Sequence, residues 1–230
     1  MKLATLTELN AERAARRPVV IVTEIGSGEQ RLVKAAAFAA DPLHAELAKQ
    51  LRMGKSAMIE VNGKKLFLNV YAPTARLVII GAVHISQALA PLARSLDYDV
   101  TVVDPRTAFA SPERFPDVPL IAEWPDVALP PLKIDPYTAF VAVTHDPKID
   151  DPALLHAFQK DCFYIGALGS RKTHAKRGER LKAQGASDAD IARIHAPIGL
   201  SIGAVSPSEI AVSIMAEITA ELRLPKAAAA

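Results

Sequence analysis

The clearest hydrophobic pattern in the chain predicts a strand, a tight turn, a helix and a second strand. Leu77–Ile80 is a short apolar run rich in β-branched residues, and Gly81 follows it directly. Over residues 85–96, apolar side chains recur at the three- and four-residue spacing of one helix face. Val100–Val103 is a second apolar run and ends on Asp104. An acidic residue about 20 positions after a glycine turn is typical of a dinucleotide-binding βαβ unit, so we predict a Rossmann-like unit here.

The glycine turn of this unit departs from the usual dinucleotide fingerprint, G-x-G-x-x-G/A. The chain has Gly81, Val83 and Ser86 at the three fingerprint positions. The middle glycine normally lets the backbone approach a pyrophosphate, and we expect a valine side chain to crowd that approach. Ser86 is small enough to keep the helix close to the strand. The turn therefore favours the fold more than it favours ordinary NAD binding.

Strand and helix patterns alternate over residues 76–224, which predicts an α/β fold with a Rossmann-like, doubly wound and mostly parallel sheet. Further strands are expected at residues 120–122, 139–143, 162–165 and 197–200. Helices are expected to begin at Asp151-Pro152, Ser170, Ser187 and Ser206, the last of which opens a capping box with Glu209. One face of the last helix is expected to carry Ile210, Ile214, Ile218 and Leu222.

Residues 1–71 predict a small α+β domain that precedes this sheet. The expected elements are a helix at 7–16, a strand at 19–23, a helix from Asp41-Pro42 to about Met53, and hairpin strands at 56–61 and 64–70. Asp41 is the expected N-cap of its helix, with proline at the first helical position. Asn62-Gly63 between the hairpin strands favours a type I′ turn. Residues 71–75 are the expected joint, which gives domains of residues 1–71 and 76–224.

Composition and charge narrow the class of protein. Half of the residues are hydrophobic and 23% are charged, which is typical of a globular protein. The net charge of +2 gives no general attraction to nucleic acid or to a membrane surface. No apolar run approaches the length that crosses a bilayer. The first residues lack the continuous apolar core of a signal peptide, so we expect a cytoplasmic protein.

Side chains usual for catalysis and metal binding are scarce. Cys162 is the single cysteine, which excludes an intramolecular disulfide and a cysteine-rich metal site. It falls in a predicted strand and is expected to be a small buried side chain rather than a nucleophile. No spacing of His, Asp and Glu is typical of a metal site, and there is no Gly-x-Ser-x-Gly motif. We therefore assign no catalytic residue and no metal ligand.

Polar residues collect where the strands of the predicted sheet end. Ligands of such sheets bind beyond the carboxyl ends of the strands, so we expect these residues to converge on one site. The candidate ligand-binding residues are Gly81, His84, Asp104, Arg106, Thr144, His145, Asp146, Gly166, Gly169, Ser170 and Arg171.

The segment Gly166–Arg171 is the most informative candidate. It is expected to form a glycine-containing turn that delivers Ser170 as the N-cap of a strongly basic helix. Cations in a first helical turn oppose the helix dipole, so an anion on the free N–H groups explains them better. Alternatively, the basic residues only form a solvent-exposed face of this helix and bind no anion.

Each remaining candidate has two interpretations. Asp104 accepts a hydrogen bond from a ribose hydroxyl or caps a loop, and Arg106 suits a phosphate. In the first interpretation, Thr144-His145-Asp146 is a polar cluster for proton transfer or ligand orientation. In the second, Asp146-Pro147 only makes a turn and His145 faces solvent. His84 is either a ligand contact or a satisfied polar residue.

Several stretches of the sequence, taken in order, match the motifs of a known family. They are GAVHISQALAPLA, VTVVDPR, THDPKIDDPALL, YIGALGSRKTHAKRGERL and HAPIGLSIGAVSPSEIAVSIMAEI. Over residues 76–222 the chain resembles the XdhC/CoxF family. Members are accessory proteins of molybdenum hydroxylases such as xanthine dehydrogenase and carbon monoxide dehydrogenase. The resemblance implies a Rossmann-like C-terminal domain in a maturation factor.

The resemblance further implies a carrier of the molybdenum cofactor. Characterised relatives bind this cofactor, protect it during sulfuration by a cysteine desulfurase and hand it to the apo molybdenum hydroxylase, and a homodimer is common among them. The terminal phosphate of molybdopterin would suit a helix N-terminus with Arg171 at its rim. A carrier needs no catalytic nucleophile, so we expect a cofactor-binding chaperone rather than an enzyme. The family's N-terminal Gly-Gly-Cys-Val-Glu motif has no counterpart here, because residues 1–71 contain no cysteine.

Two other functions stay open at this point. An NAD(P)-dependent oxidoreductase would place Asp104 on a ribose and use His145 as an acid or base. A protein-docking module would bind the desulfurase or the apo-enzyme and hold no small molecule.

Overall fold

The computed structural model describes residues 1–225, which form two compact units. Residues 74–222 make one unit, and residues 1–73 make the other together with residues 223–225. Each unit has its own sheet and its own hydrophobic core. No helix among the described residues is long and apolar enough to cross a membrane.

The first unit is built on a four-stranded antiparallel sheet. Its strands are β1 (Val19–Glu24), β2 (Gln30–Lys34), β3 (Ala57–Val61) and β4 (Lys64–Tyr71), in the spatial order β2-β1-β4-β3. Its helices are α1 (Leu3–Ala14) and α2 (His44–Met53). Leu47 of α2 is buried in one cluster with Val20, Val22 and Leu68 of the sheet. The α+β class predicted for the N-terminal region is confirmed.

The turn between β3 and β4 has the predicted geometry. Asn62 and Gly63 have φ angles of 52° and 73°, and a type I′ turn needs positive φ at both central residues. Strand β2 gave no signal in the sequence, because it is an edge strand of mostly polar residues in which only Val33 is buried.

Helix α2 begins later than the Asp41-Pro42 signal predicts. Its first residue is His44, and its N-cap position is occupied by Leu43 without a side-chain cap. The Asp41 carboxylate instead accepts a hydrogen bond of 2.9 Å from the Leu43 N–H and forms an ion pair with Arg31. The prediction is wrong because this ion pair holds Asp41 in a turn that precedes the helix.

The second unit contains a six-stranded parallel sheet. Its strands are β5 (Arg76–Ile80), β6 (Asp99–Val103), β7 (Leu120–Ile121), β8 (Thr138–Ala142), β9 (Tyr164–Ala167) and β10 (Ile194–His195), in the order β10-β9-β8-β5-β6-β7. Its helices are α3 (His84–Ser95), α4 (Pro125–Ala128), α5 (Pro147–Phe158), α6 (Arg171–Ala183), α7 (Asp188–Ala192) and α8 (Pro207–Arg223). The predicted Rossmann-like fold is confirmed.

Helices cover both faces of this sheet. On one face, Leu89 of α3 and Ile214 of α8 pack with Leu77 and Ile79 of β5. On the other face, Leu154 of α5 packs with the alternate residues of the same strand. Strands buried on both sides are expected to be continuously apolar, which is how β5 reads in the sequence.

Helix α5 begins at the first of two Asp-Pro pairs, not at the predicted second one. Asp146 is the N-cap, accepting a hydrogen bond of 2.9 Å from the Lys148 N–H, and Pro147 is the first helical residue. Pro152 therefore lies inside the helix. The Asp151-Pro152 prediction is wrong because Asp151 pairs with Arg180 of α6 instead of capping a helix.

The last two strands are also shifted from their predicted positions. Strand β9 ends at Ala167, so Gly166 belongs to the strand rather than to the turn after it. Strand β10 precedes Pro197 instead of following it. Residues 197–200 run into a loop whose Leu200 N–H donates to the Ser213 carbonyl of α8 at 3.1 Å, so this segment pairs with a helix and not with a strand.

Three predicted helix starts are confirmed. Ser170 caps α6 by accepting a hydrogen bond from the Thr173 N–H. Ser187 and Asp190 form a capping box at the start of α7. Ser206 and Glu209 form the predicted box at α8, since the Glu209 carboxylate accepts from the Ser206 N–H at 2.8 Å and the Ser206 hydroxyl accepts from the Glu209 N–H at 3.3 Å.

Candidate functional site

The strand order creates a crevice between β5 and β8. The chain runs from β5 to β6 and β7 on one side and from β8 to β9 and β10 on the other. The loops after β5 and β8 therefore leave in opposite directions, and ligands of such sheets bind at this topological switch point. Gly81 follows β5, and Thr144-His145-Asp146 follows β8. These two loops form the floor of the candidate site.

Gly81 brings the two loops into contact. Its φ angle is +116°, and a Cβ at this position would lie 2.7 Å from Cγ2 of Thr144. Both the conformation and the close approach require glycine. Ser86 is fully buried and its hydroxyl donates to the Gly81 carbonyl. The packing role predicted for Ser86 is confirmed.

Helix α3 starts at the switch point without a cap. Val83 occupies the N-cap position with no side-chain hydrogen bond, and the first turn contains no acidic residue. His84 is exposed at the first helical position. An uncapped helix start with no acidic neighbour is a place where an anion can accept hydrogen bonds from backbone N–H groups.

Asp104 binds the protein itself instead of facing a ribose. It is completely buried; one of its carboxylate oxygens accepts the Ala82 N–H at 2.7 Å, and the two oxygens bind Arg106 at 2.9 and 2.7 Å. Burial raises the pKa of Asp104, but Arg106 and the backbone N–H groups of Ala82 and Arg106 together hold it below its ordinary value. No surface of the carboxylate is exposed, so in this structure Asp104 fixes the loop after β6 and offers no free oxygen to a ribose.

Arg106 keeps an open surface at the site. Its side chain is 31% exposed, and its Cζ lies 4.6 Å from the centroid of the Phe109 ring. Asp146 and Asp150, which follow β8, act on it electrostatically and contribute to raising its pKa after the larger effects of Asp104. Asp104 therefore holds Arg106 in place while part of the guanidinium side chain stays accessible.

Arg114 fastens the long loop after β6 onto the glycine turn. Its guanidinium donates to the carbonyl oxygens of Ala82 and Phe109 at 2.9 and 2.8 Å, and to Gln87 of α3 at 2.9 Å. The sequence did not point to Arg114, because it lies in a proline-bearing loop with no periodic pattern. Its hydrogen bonds hold this loop against the start of α3.

The Thr144-His145-Asp146 segment is a rigid turn. The Thr144 hydroxyl donates to Oδ1 of Asp150 at 2.7 Å and accepts the Asp146 N–H at 3.0 Å. The His145 N–H donates to Oδ2 of Asp150 at 3.2 Å. His145 has a left-handed φ of 64° and an exposed side chain. Asp146 is the N-cap of α5, which gives it a structural role in this turn.

Asp150 and Arg177 are buried charges that the sequence analysis missed. Asp150 is 1% exposed and Arg177 is 2% exposed. The Arg177 guanidinium donates to the Leu168 carbonyl at 2.7 Å, while its Nε and Nη1 have no hydrogen-bond partner in the described part of the chain. Burial raises the pKa of Asp150 and lowers that of Arg177, and the two groups attract each other. The sequence pattern of a basic helix or an acidic turn does not show which of its charged residues are buried and which are exposed.

The glycines after β8 have different structural roles. A Cβ on Gly166 would lie 2.6 Å from Cδ1 of Ile198 and 2.7 Å from the Tyr164 ring. Packing inside the sheet therefore requires glycine at position 166. Gly169 has a φ of +137° in the loop before α6. The Leu168 N–H donates to the Ala142 carbonyl at 2.8 Å, which ties this loop to the end of β8.

The basic helix α6 combines paired and unpaired cations. Arg180 binds Asp151 with two hydrogen bonds, and Lys182 pairs with Asp188. Arg171, Lys172 and Lys176 are exposed and form no ion pair within residues 1–225. The first turn of α6 contains no acidic residue. Its N-terminus thus carries positive charge where the helix dipole is also positive.

The structure brings part of the predicted site together. Gly81 lies against Thr144, and Thr144 and His145 both bind Asp150. The Ser170-Arg171 segment is connected to them through Leu168 and Arg177, with no direct contact among the described residues. The site is therefore a polar crevice with a second cationic helix start beside it.

A separate cavity of about 500 Å³ lies in the first unit. Its lining includes Val22, Leu43 and Leu66, and two of its charged residues, Lys64 and Glu24, form an ion pair. No group of three or more His, Cys, Asp or Glu residues in the described chain is placed to hold a metal ion. Cys162 is buried, and burial raises the pKa of its thiol to about 12.

Comparison with known proteins gives two informative curated relatives. The chain is 34% identical over 154 residues to a Bacillus subtilis protein named as a probable xanthine dehydrogenase component, covering 66% of this chain and 44% of that protein. It is 32% identical over 154 residues to the molybdenum cofactor insertion chaperone PaoD of Escherichia coli, covering 67% of this chain and 42% of that protein. The chain thus spans less than half the length of these relatives.

A solved structure shares the fold over nearly all of this chain. The crystal structure of a protein described as a xanthine dehydrogenase from Bacillus halodurans superimposes with a TM-score of 0.67 at 26% identity, covering 98% of this chain and 66% of that one. The family described as the XdhC Rossmann domain matches residues 77–218, which include the switch point, the buried Asp150 and the basic helix. With more than half of its residues matched in this way, the chain belongs to the XdhC family.

Proposed function

We propose that the chain binds the molybdenum cofactor at the switch point of its parallel sheet and assists the cofactor's sulfuration and its insertion into an apo molybdenum hydroxylase. The names of the two curated relatives support a maturation role of this kind. The structural observation that carries the proposal is the pair of uncapped or cation-bearing helix starts at one edge of the sheet. Both α3 and α6 lack an acidic residue in the first turn, whereas α5, α7 and α8 each have one.

Phosphate recognition follows from this arrangement. Molybdopterin carries a terminal phosphate, and a helix N-terminus offers both unpaired N–H groups and the positive end of the dipole. His84 is exposed at the first position of α3, and the exposed His145 follows β8. Arg106 binds the same carboxylate, Asp104, as the Ala82 N–H of the glycine turn. These side chains would bind and orient the phosphate and pterin, while Asp104 and Arg114 hold the loops that carry them.

The position of the single cysteine limits how sulfur reaches a bound cofactor. Cys162 is buried and its pKa is raised to about 12, so the thiolate that attacks a sulfur donor is absent at neutral pH. The chain therefore presents the cofactor to a cysteine desulfurase and does not carry the sulfur itself. A homodimer and a cytoplasmic location remain predictions of the proposal.

The direct test is uptake of the cofactor by purified protein. Molybdenum cofactor released from a molybdenum enzyme is mixed anaerobically with the chain, and the molybdenum and pterin that co-elute on gel filtration are measured. We expect about one cofactor per chain, and a strong loss of uptake in Arg171→Glu. The matched control is Lys55→Glu, which changes an exposed lysine of the first unit. Equal uptake by both variants, or none by the wild type, contradicts the proposal.

A docking role is the second candidate function, favoured by one exposed segment. Leu200, Ile202 and Val205 are 43%, 54% and 85% exposed, although the Gly199 and Val205 N–H groups at its two ends are fixed by hydrogen bonds to Glu217 and Glu209. An ordered loop that exposes apolar side chains is suited to a protein partner. Loss of binding to an apo-enzyme in Val205→Asp, with cofactor uptake intact, would separate this role from the first. The NAD(P)-dependent oxidoreductase loses its main support, since Asp104 is buried.

A further inference from the structure

Asp150 directs its side-chain hydrogen bonds at one short segment. Its two carboxylate oxygens accept the Thr144 hydroxyl at 2.7 Å, the Thr144 N–H at 3.3 Å and the His145 N–H at 3.2 Å. A buried carboxylate is unfavourable unless such partners replace its lost water. The start of α5 does not need it, because Asp146 already supplies the cap. The function of Asp150 is therefore directed at the loop and not at its own helix.

The segment that Asp150 holds is strained at its exposed residue. His145 has a φ of 64°, a conformation that is uncommon for residues other than glycine. Such strain persists only where surrounding contacts enforce it, and it concentrates at functional sites. The hydrogen bond to Asp150 is the contact that the His145 backbone makes there. Asp150 thus fixes the direction in which the His145 side chain leaves the sheet.

Charges from three elements face Asp150. Arg177 of α6 attracts it from the side of the β9 loop, and Arg106 attracts it from the side of the β6 loop. Asp146 lies in the same turn, while Asp151, the next residue of α5, is neutralised by Arg180. Arg177 donates to the Leu168 carbonyl in the loop after β9, while Asp150 binds the loop after β8, so each of the two buried charges holds one of these loops. The three hydrogen bonds that Asp150 accepts from Thr144 and His145, here called the clamp, hold the loop after β8 in a fixed arrangement.

We propose that Asp150 is a positioning residue, which holds His145 at the switch point so that its imidazole contacts a phosphorylated pterin bound against the start of α3. This inference rests on the proposed function for the identity of the ligand. Asp150 itself does not touch the ligand, since it is buried beneath the loop. Its effect on binding passes through His145.

Asn at position 150 breaks the clamp with the smallest possible change. An amide has one acceptor oxygen, so either the Thr144 N–H or the His145 N–H would face an NH₂ group, which is a second donor. The matched control is Asp151→Asn, which alters the adjacent aspartate of the same helix, 3% exposed but paired with Arg180 instead of the loop. Thr144→Val is the second variant, because it removes the hydroxyl donor without introducing a new donor.

The experiment measures two quantities in the wild type and in each variant. The first is the dissociation constant for molybdenum cofactor, and the second is the hydrogen-exchange rate of the His145 amide by NMR. We expect Asp150→Asn and Thr144→Val to accelerate exchange at His145 and to weaken cofactor binding about tenfold. In a His145→Ala background the same Asp150→Asn change is expected to have no further effect on binding. Asp151→Asn is expected to leave both quantities unchanged.

The outcomes separate this inference from the proposed function. If the wild type binds no cofactor, the proposed function fails, and so does the ligand contact of His145, whereas the exchange rates still decide whether Asp150 holds the loop. If binding occurs but Asp150→Asn weakens it equally with and without His145, Asp150 does not act through His145 and the inference is overturned. Unchanged exchange and binding in both clamp variants overturn it as well.

Discussion

Asp104 and Ala82 are joined by a hydrogen bond of 2.7 Å, in which the buried carboxylate accepts the amide proton of the glycine turn. In a dinucleotide-binding fold, such turn N–H groups face a pyrophosphate and the acidic residue faces a ribose. Here the two groups satisfy each other. The same fold element is therefore kept, while the Ala82 N–H and the Asp104 carboxylate, two of its usual ligand contacts, bind each other.

We expect Asp104→Asn to destabilise the second unit by about 3 kcal/mol, because it leaves the partly buried Arg106 without its carboxylate partner. Urea unfolding measures this change. Asp99→Asn is the control, since Asp99 lies 3.7 Å from Arg76 with a side chain that is 60% exposed, and its loss is expected to cost less than about 1 kcal/mol. A similar small effect at both positions would contradict the assignment of Asp104 as a structural clamp.

Gly81→Ala is expected to lower stability by about 2 kcal/mol, because the added Cβ meets Cγ2 of Thr144 at 2.7 Å and the φ of +116° disfavours alanine. Gly26→Ala serves as the comparison, since a Cβ there has no atom within 4 Å and no unusual φ. Thermal unfolding followed by circular dichroism distinguishes them. Equal melting temperatures for the two variants would show that the glycine turn can relax.

Gly166→Ala separates packing from ligand binding. The methyl group would meet Ile198 and Tyr164 at 2.6–2.7 Å, so we expect a loss of about 1–3 kcal/mol in unfolding free energy. Folded Gly166→Ala protein is expected to bind molybdenum cofactor with the affinity of the wild type at low temperature. A selective loss of binding with unchanged stability would return Gly166 to the ligand site.

The loss of stability at acidic pH is expected to depend on Glu12 of α1. Hydrogen bonding to Arg17 is the main cause that lowers its pKa from 4.5 to about 2. A carboxyl whose pKa is lower in the folded state contributes stability above its unfolded value, and this is lost as the pH falls from about 4.5 towards 2. In Glu12→Gln, the free energy of unfolding measured with urea should depend less on pH over that range. In Glu60→Gln, which changes an exposed position of β3, the pH dependence is expected to be that of the wild type.

Cys162 is expected to resist thiol reagents in the native protein. Its thiol is buried and its pKa is raised to about 12, so Ellman's reagent should detect no thiol until the chain is unfolded and then about one per chain. Cys162→Ala should take up the cofactor as the wild type does, and a cysteine desulfurase should still sulfurate the bound cofactor. Fast reaction in the native state would reopen the possibility that the chain carries sulfur.

The predictions made from sequence succeeded where the signal is local. Ser170 and Ser206 are caps whose partners lie three residues away, so the pattern contains both members of each hydrogen bond. Leu77–Ile80 reads as a buried strand because every side chain in it is apolar. The type I′ turn at Asn62-Gly63 is determined by the two residues themselves.

The predictions failed where a distant partner decides. Asp146 and Asp151 each precede a proline, and only Arg180, 29 residues beyond Asp151, shows which aspartate is free to cap the helix. Asp104 has the position of a ribose acceptor, but Arg106 and Ala82 occupy it. Asp150 and Arg177 look like ordinary surface charges in the sequence, because their burial depends on how α5 and α6 meet the sheet.

Both outer strands of the six-stranded sheet, β7 and β10, contain only two residues. A border this short exposes very few backbone donors and acceptors, so a strand from another molecule gains little by adding to it. Growth of the sheet from copy to copy is disfavoured at either side. Any self-association of this unit must therefore be built from helix and loop surfaces, where side chains rather than the main chain decide which partner is accepted.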